Sequence, residues 1–387
     1  MALKDDLVSL KQRVPVAGRL SYRARRAVAL ARRESRHVER WTQAALDQAF
    51  TRRLAGVERS PFRGRPRMLS VSVDRLLLGG GDGSNADDGF ARPTGDLSVP
   101  STPLPRWPQR ALDQHDSCRE SVISVAAAKR SDCFMVLAGH QTAAAAHAAG
   151  ATELDVAVVG RPRWTPFQHV ILDMGWLDSR AELYQPVASP ELEEWPVVRT
   201  CQDRLDHMIA FLTEYGPASD RNASFLDVAS CYGWFVARML GYGYDARGIE
   251  IEPVAPAIGL AAYGLDPARI AVGDSVVLLE RQPAVDVLSC FSLAHHFVLG
   301  RGSCSAEELV GLLARRTRQV LFFEMGQDHE AWFRHSLAGW NSDSVRDWLL
   351  QHTDFDHVIA LGVDHDSRPP YKSNYGRTLF ACVRRQT

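Results

Sequence analysis

From residue 224 onward, apolar and polar positions switch repeatedly between two periods. Short apolar runs at Ser224–Ala229, Ala246–Glu250, Ile270–Val272, Val285–Phe291 and Val320–Glu324 read as buried strands. Helical stretches separate them: Trp234–Leu240 closed by Gly241, another before Tyr263-Gly264, and Ala306–Thr317. Strand–helix alternation of this kind predicts a doubly wound parallel α/β sheet. The final two runs, Asp356–Val363 and Thr378–Arg384, have no helix between them. They therefore pair as a terminal antiparallel hairpin, completing a seven-stranded mixed sheet over residues 223–387.

The first half is less regular. Leu20 to Leu54 lacks Pro and Gly and places Val28, Ala31, Val38, Trp41, Ala45 and Phe50 at near-helical spacing, so residues 1–60 read as a basic helical segment. Leu78 to Gln109 is rich in Gly and Pro and too poor in apolar residues for a core, an exposed excursion over 79–110. Strands are predicted at Ser121–Val125, Cys133–Ala138 and Leu154–Val159, with a helix from Thr142 to Ala149 stopped by Gly150. These make 61–165 a smaller α+β domain. Bridging helices fill 166–222, chief among them an amphipathic helix over Trp195–Leu212 that turns Val198, Leu205, Ile209 and Leu212 to one side.

Composition narrows the class. A chain of 387 residues, 45% hydrophobic and 24% charged, suits two globular domains. No apolar run reaches the ~20 residues of a bilayer span, and the N-terminus reads Lys4-Asp5-Asp6 rather than an apolar leader, so a cytoplasmic location without a membrane partner is expected. The seven cysteines are scattered with no C-x-x-C pair, arguing against a disulfide framework or zinc site; Cys290 and Cys382, inside apolar runs, read as small buried hydrophobes. The net charge of -1 conceals an asymmetry. Residues 1–67 carry 17 Lys+Arg against 6 Asp+Glu, and the remainder carries 28 against 40. The basic segment either packs on the acidic remainder or meets an anionic partner.

Specific residues in the second half carry a resemblance. Phe225-Leu-Asp-Val-Ala-Ser-Cys-Tyr-Gly-Trp-Phe is an acidic strand end followed by a small-residue turn. Asp245-Ala-Arg-Gly-Ile-Glu-Ile-Glu places Glu250 at the next strand tip, Val272-Gly-Asp-Ser follows the third strand, and Asp286-Val-Leu-Ser-Cys-Phe-Ser-Leu-Ala-His-His-Phe closes the fourth. In that order they resemble the class I S-adenosylmethionine-dependent methyltransferases, a Rossmann-like family. The resemblance implies S-adenosylmethionine as cofactor, with S-adenosylhomocysteine as product. Asp227, Ala229, Ser230 and Gly233 would form the cofactor turn, and Glu250, with Ile251 beside it, would accept the ribose hydroxyls. Glu252 is the fallback for that role, though a helix N-terminal charge suits it better. Asp274 and Ser275 would lie near the adenine, and Phe291 and Ser292 would touch the cofactor. Ala229 and Cys231 stand where the family has glycine; small side chains there still admit an adenosyl group, whereas a dinucleotide pyrophosphate needs closer approach.

A second resemblance concerns Phe134-Met-Val-Leu-Ala-Gly-His-Gln-Thr-Ala-Ala-Ala-Ala-His-Ala-Ala-Gly-Ala-Thr-Glu-Leu-Asp-Val-Ala-Val-Val, within Met68 to Val159. It is similar to the ParB-like domain, in which backbone amides of a Gly-His turn face an anion. Thr142 replaces that family's Arg, which points to a degenerate, structural or substrate-shaping domain.

The methyltransferase resemblance implies direct displacement at a sulfonium methyl, with the protein aligning the nucleophile and removing its proton. His295 and His296 are the candidate bases, since a neutral imidazole suits an oxygen nucleophile near pH 7. Glu324, His329, Glu330 and Trp332 fall beyond the fifth strand, and His365, Asp366, Arg368, Tyr371, Lys372 and Tyr375 fall in the last loop, either closing over a substrate or simply solvated. Arg199 and Arg204 either reach the cofactor carboxylate or are surface charges. The expected partner is a small-molecule methyl acceptor, O-methylated at a hydroxyl or carboxyl in specialised-metabolite (antibiotic) biosynthesis or on a sugar-containing intermediate. Alternatives are a nucleic-acid methyltransferase using the Arg-rich N-terminus, and a non-catalytic binding protein on a decayed fold. A homodimer is compatible with the sequence. No metal cluster is expected; His329/Glu330 and His365/Asp366 are the pairs to inspect.

Overall fold

A computed structural model describes residues 67–77, 122–172, 180–217 and 222–384. The helix expected at Leu20–Leu54 and the excursion over 79–110 lie outside the described residues. The described residues divide into two compact units, one comprising Val198–Ala255 with Ala268 onward, the other the described residues from 67 to Val197 with Pro256–Pro267.

The first unit in chain order is built on a five-stranded mixed sheet. Its strands are β1 (Arg67–Ser72), β2 (Leu76–Leu77), β3 (Ile123–Ala127), β4 (Phe134–Ala138) and β5 (Glu153–Val158), in the order β1-β5-β3-β4-β2. β1 and β2 had no counterpart in the sequence reading, because their support is non-local: β1 exists through antiparallel pairing with β5, and β2 through parallel pairing with β4. Val71, Leu76, Ile123, Val125, Val136, Ala143 and Val156 form its core. The helix His140–Ala148 starts at Gly139, whose φ of 81° is left-handed and whose missing Cβ would lie 3.1 Å from the Ile123 Cα.

The amphipathic helix expected over Trp195–Leu212 is corrected to Gln202–Tyr215. Pro196 cannot donate, and Cys201 is left-handed at φ 66°, so the chain enters the helix from a non-helical lead. Val198 is buried in that lead and is not on the helix face.

The second unit holds a seven-stranded sheet of β6 (Ser224–Val228), β7 (Asp245–Glu250), β8 (Ile270–Val272), β9 (Val285–Phe291), β10 (Thr317–Glu324), β11 (His357–Val363) and β12 (Thr378–Val383). The order is β11-β12-β10-β9-β6-β7-β8. β6 to β10 run parallel, while β12 is antiparallel to both β10 and β11. The sheet is thus Rossmann-like with the expected terminal hairpin. β9, β10 and β12 are buried almost continuously, as strands covered on both faces must be, whereas β11 at the edge is largely exposed. The helix Trp234–Gly241 packs on β6 and β7, and Ala306–Arg316 packs on β9 and β10. The latter carries a complete capping box, Ser305 with Glu308. Leu226, Val228, Ile249, Leu288, Cys290, Leu309, Leu313, Leu321, Phe323, Val345 and Leu349 belong to one core. No helix among the described residues is long and apolar enough to cross a membrane.

Candidate functional site

Because β6 to β10 are parallel, their carboxyl ends share one edge. That edge gathers Asp227, the turn 229–233, Glu250, Asp274, Phe291, Ser292 and Glu324.

The β6 turn is tightly held. Ala229, Cys231 and Gly233 are all left-handed, at φ 66°, 53° and 84°. The positions where glycine was expected thus keep a glycine-like backbone while carrying Ala and Cys, each at a strain of order 1 kcal/mol. Hydrogen bonds hold that strain: the Ala229 and Ser230 amides both donate to the Ile249 carbonyl, at 2.9 and 3.0 Å, and the Cys231 amide donates to Glu250 Oε2 at 2.8 Å. Gly248 in β7 makes the close packing possible, because a Cβ there would sit 2.5 Å from Ser230 Oγ and 2.8 Å from Ser230 Cβ. Sequence reasoning passed over Gly248; a lone glycine inside a strand is the signal it offered.

Asp227 is flanked in the sheet by Gly248 and Ser289. It is buried, accepts a 2.7 Å hydrogen bond from Ser289 Oγ, and burial pushes its carboxyl up to about 7. Glu250 is also buried and pushed up to about 7 by desolvation, against the opposing pull of three amides, those of Cys231, Ile251 and Glu252. Most of the acceptor capacity of Glu250 therefore shapes the turn. Asp274 caps the helix Ser275–Arg281 by accepting from the Val276 amide at 2.9 Å, and it also accepts from Ser303 Oγ. Ser275 is half-buried as the first residue of that helix, and Ile251 is half-buried beside Glu250. Phe291 is buried edge-on to Phe235, with ring centroids 5.0 Å apart.

Ser292, left-handed at φ 55°, turns its hydroxyl away from simple solvation. Its Oγ accepts from Arg199 at 3.1 Å and Arg377 at 3.0 Å and donates to Glu324 at 3.3 Å. These belong to a buried ion network. Glu324 meets Arg199 at 3.1 Å, Arg204 at 3.5 Å and Arg377 at 2.8 Å. Asp364 and Asp366 also pair with Arg199, Asp366 with Arg204 and Glu330 with Arg377, and the buried Arg204 Nε makes no hydrogen bond among the described residues. Burial alone would raise Glu324, but Arg199, Arg377 and Arg204 together hold it down at about 2; Asp366 is likewise held at about 2 by Arg199 and Arg204 against burial. Arg199 and Arg204 are therefore not surface charges. The last loop is not simply solvated either: Asp364, Asp366, Asn374, Tyr375 and Arg377 are buried, while Arg368 and Lys372 are exposed. Arg377 and Asp364 gave no sequence signal, since their ion-pair partners, Glu324 and Glu330 for Arg377 and Arg199 for Asp364, lie far away in the chain.

The two histidines differ sharply. His295 is buried, held well below its ordinary value by desolvation and by neighbouring cations, and its Nδ1 accepts from the Gly326 amide at 3.2 Å. A neutral imidazole that accepts at Nδ1 carries its proton on Nε2 and has no second lone pair. His296 is half-buried and stacks against His295, with ring centroids 4.3 Å apart. The pairs singled out for a metal are engaged otherwise: His329 Nε2 with the Tyr375 carbonyl at 2.7 Å, Glu330 with Arg377, and Asp366 with Arg199. His365 is exposed beside Asp203.

No family model matches the chain, and no curated protein does. Among solved structures, it is similar to WbdD, described as a bifunctional kinase-methyltransferase, at 19% identity and a TM-score of 0.46, covering 57% of this chain and 48% of that one in a complex with a kinase inhibitor. The chain thus spans about half the length of the WbdD structures it matches. It is also similar to an S-adenosylmethionine-dependent methyltransferase from Archaeoglobus fulgidus, at 11% identity and a TM-score of 0.35, covering 49% of this chain and 95% of that one. A putative one from Listeria monocytogenes aligns at 10% identity and a TM-score of 0.34, covering 47% and 100%.

Proposed function

We propose that the second unit is an S-adenosylmethionine-dependent methyltransferase that methylates an oxygen of a small molecule. The observation that carries this reading is the left-handed turn Ala229–Gly233, clamped by Glu250 at the carboxyl edge of a parallel sheet with a terminal antiparallel hairpin. A ligand is expected at that edge, where strand ends and the start of the Trp234–Gly241 helix converge. The retained backbone conformation at Ala229 and Cys231 speaks against the decayed-fold alternative, because a turn freed from function has no reason to keep two strained residues. The nucleic-acid alternative rests on the Arg-rich N-terminal segment, whose residues 1–66 lie outside the described residues. The five-stranded sheet of the other unit is proposed to be a degenerate ParB-like domain, structural or substrate-shaping, a reading supported by the Gly139 turn that opens its helix.

When bound, the cofactor supplies the activated methyl group. Glu250 takes a ribose hydroxyl with its remaining acceptor capacity, Asp227 holds the turn, Asp274 approaches the adenine edge, and Phe291 packs beside the adenosyl group. His296 removes the proton of the acceptor, and His295 positions it: the Nδ1 bond to Gly326 leaves His295 no lone pair with which to take a proton.

Calorimetry with S-adenosylmethionine tests the cofactor assignment, with binding in the micromolar range expected for the wild type and lost in Gly248→Ala. Absence of heat with the wild-type protein would refute the reading. For proton transfer, His296→Ala is expected to lower turnover by about 10²-fold or more with cofactor affinity unchanged, assayed on the metabolite that accumulates one methylene lighter in cells lacking the protein.

A further inference from the structure

The segment 325–341 leaves β10, and the loop 364–377 leaves β11; since both strands are antiparallel to β12, both segments emerge at the carboxyl edge of the sheet. They are bound together there. The Ala331 amide donates to the Ser373 carbonyl at 2.9 Å, the Trp332 amide to Asn374 Oδ1 at 3.0 Å, and the Tyr375 amide to Glu330 Oε2 at 3.0 Å. On this base stands Trp332, 47% exposed. Its indole meets Tyr371 edge-to-face at 5.6 Å and Tyr375 at 5.4 Å. Tyr375 is itself buried, with the guanidiniums of Arg199 and Arg377 4.4 and 5.0 Å from its ring centre.

A single exposed apolar side chain is ordinary. This one differs in its support: a bonded backbone amide, two aromatic edges, and beneath them the buried ion network. A large indole held rigid and open to solvent loses little conformational freedom when a flat partner stacks on it. Its surroundings decide the partner. The large exposed side chains of the two segments other than Trp332 are polar or cationic, among them Arg334, His335, Arg368 and Lys372, while the exposed apolar ones are the small Ala331, Ala338, Pro369 and Pro370. A flat aromatic ligand is normally enclosed by apolar walls, whereas a ring with one C–H face and a hydroxyl-bearing rim matches an open indole bordered by hydrogen-bond donors. We propose that Trp332, with Tyr371, is a sugar-stacking platform, on which a pyranose ring of the acceptor lies while methyl transfer occurs at the same edge. Its role as an acceptor subsite rests on the methyltransferase reading; the sugar contact itself does not.

Saturation-transfer NMR on the full chain, with methyl glucoside, galactoside, mannoside and glucuronide as probes, tests this directly. Saturation is expected on the ring C–H protons of at least one pyranoside. In Trp332→Ala the affinity should fall about tenfold, and Trp332→Phe should keep most of it. Calorimetric affinity for S-adenosylmethionine should be equal in all three proteins, which also shows that the variants fold. No transfer to any of the four probes, or equal transfer in Trp332→Ala, would overturn the proposal. A Trp332-dependent sugar signal in a protein that gives no heat with S-adenosylmethionine would instead retire the methyltransferase reading and leave the sugar platform standing.

Discussion

Gly248 and Glu324 show how much a single position can decide at the edge of this sheet. Gly248 has no room for a Cβ against Ser230, so Gly248→Ala must displace the β6 turn, at about 1–3 kcal/mol in urea denaturation. Cys231→Gly, by contrast, should leave stability within about 1 kcal/mol of wild type and cofactor affinity unchanged, because the relief of left-handed strain offsets the added freedom of the unfolded chain. Glu324 is the hub of three guanidiniums, and Glu324→Ala takes a buried carboxylate from each of them, leaving only Asp364, Asp366 and Glu330 as counter-charges, an expected loss of about 3–5 kcal/mol. Breaking the exposed pair Arg346–Asp343 should change stability by less than about 1 kcal/mol, since water already screens it. At this edge Asp227, Glu250 and Glu324 were legible in the sequence as strand-end carboxylates. Arg377 was not, because nothing local marks a loop arginine whose partners lie 47 and 53 residues away.

Helices and turns were read well wherever their signals are local. The helix Ala306–Arg316 ends directly in β10, which begins at Thr317 rather than Val320, so a strand three residues longer than expected starts without a loop. The helix after β8 is capped by Asp274, which places two demands on one carboxylate. Asp274→Ala should cost about 1 kcal/mol through the lost cap, whereas Asp274→Ser keeps a capping oxygen and should keep that stability. If Asp274→Ser nonetheless binds S-adenosylmethionine as tightly as wild type, the residue is a cap and not an adenine contact. The misplaced start of the helix at Gln202 has a similar lesson. Its apolar spacing begins earlier, but Thr200 is tied to Asp366 through both its amide and its hydroxyl, at 2.6 Å each, a tertiary demand that helical periodicity does not carry.

Across the whole second unit, buried carboxylates with opposite shifts set the response to pH. Glu324 and Asp366, held at about 2, contribute stability that is fully present above the ordinary carboxylate range and is lost as pH falls through that range towards 2. Asp227 and Glu250, raised to about 7, bind protons in the folded state that the unfolded chain has already released, so stability falls as pH rises towards 7. Thermal unfolding should therefore peak in mildly acidic buffer, and the decline towards neutral pH should shrink in Asp227→Asn; an unchanged decline would contradict the assignment. The chain by itself determined the parallel sheet, its terminal hairpin and the order of the edge motifs, because periodicity, capping and strand ends are written in neighbouring residues. Only the tertiary structure decided which carboxylates shape the β6 turn, that His295 Nδ1 accepts from the Gly326 amide, and that Arg199, Arg204 and Arg377 converge on Glu324. Those outcomes depend on desolvation and on contacts between distant segments, and both exist only once the sheet has closed over its core.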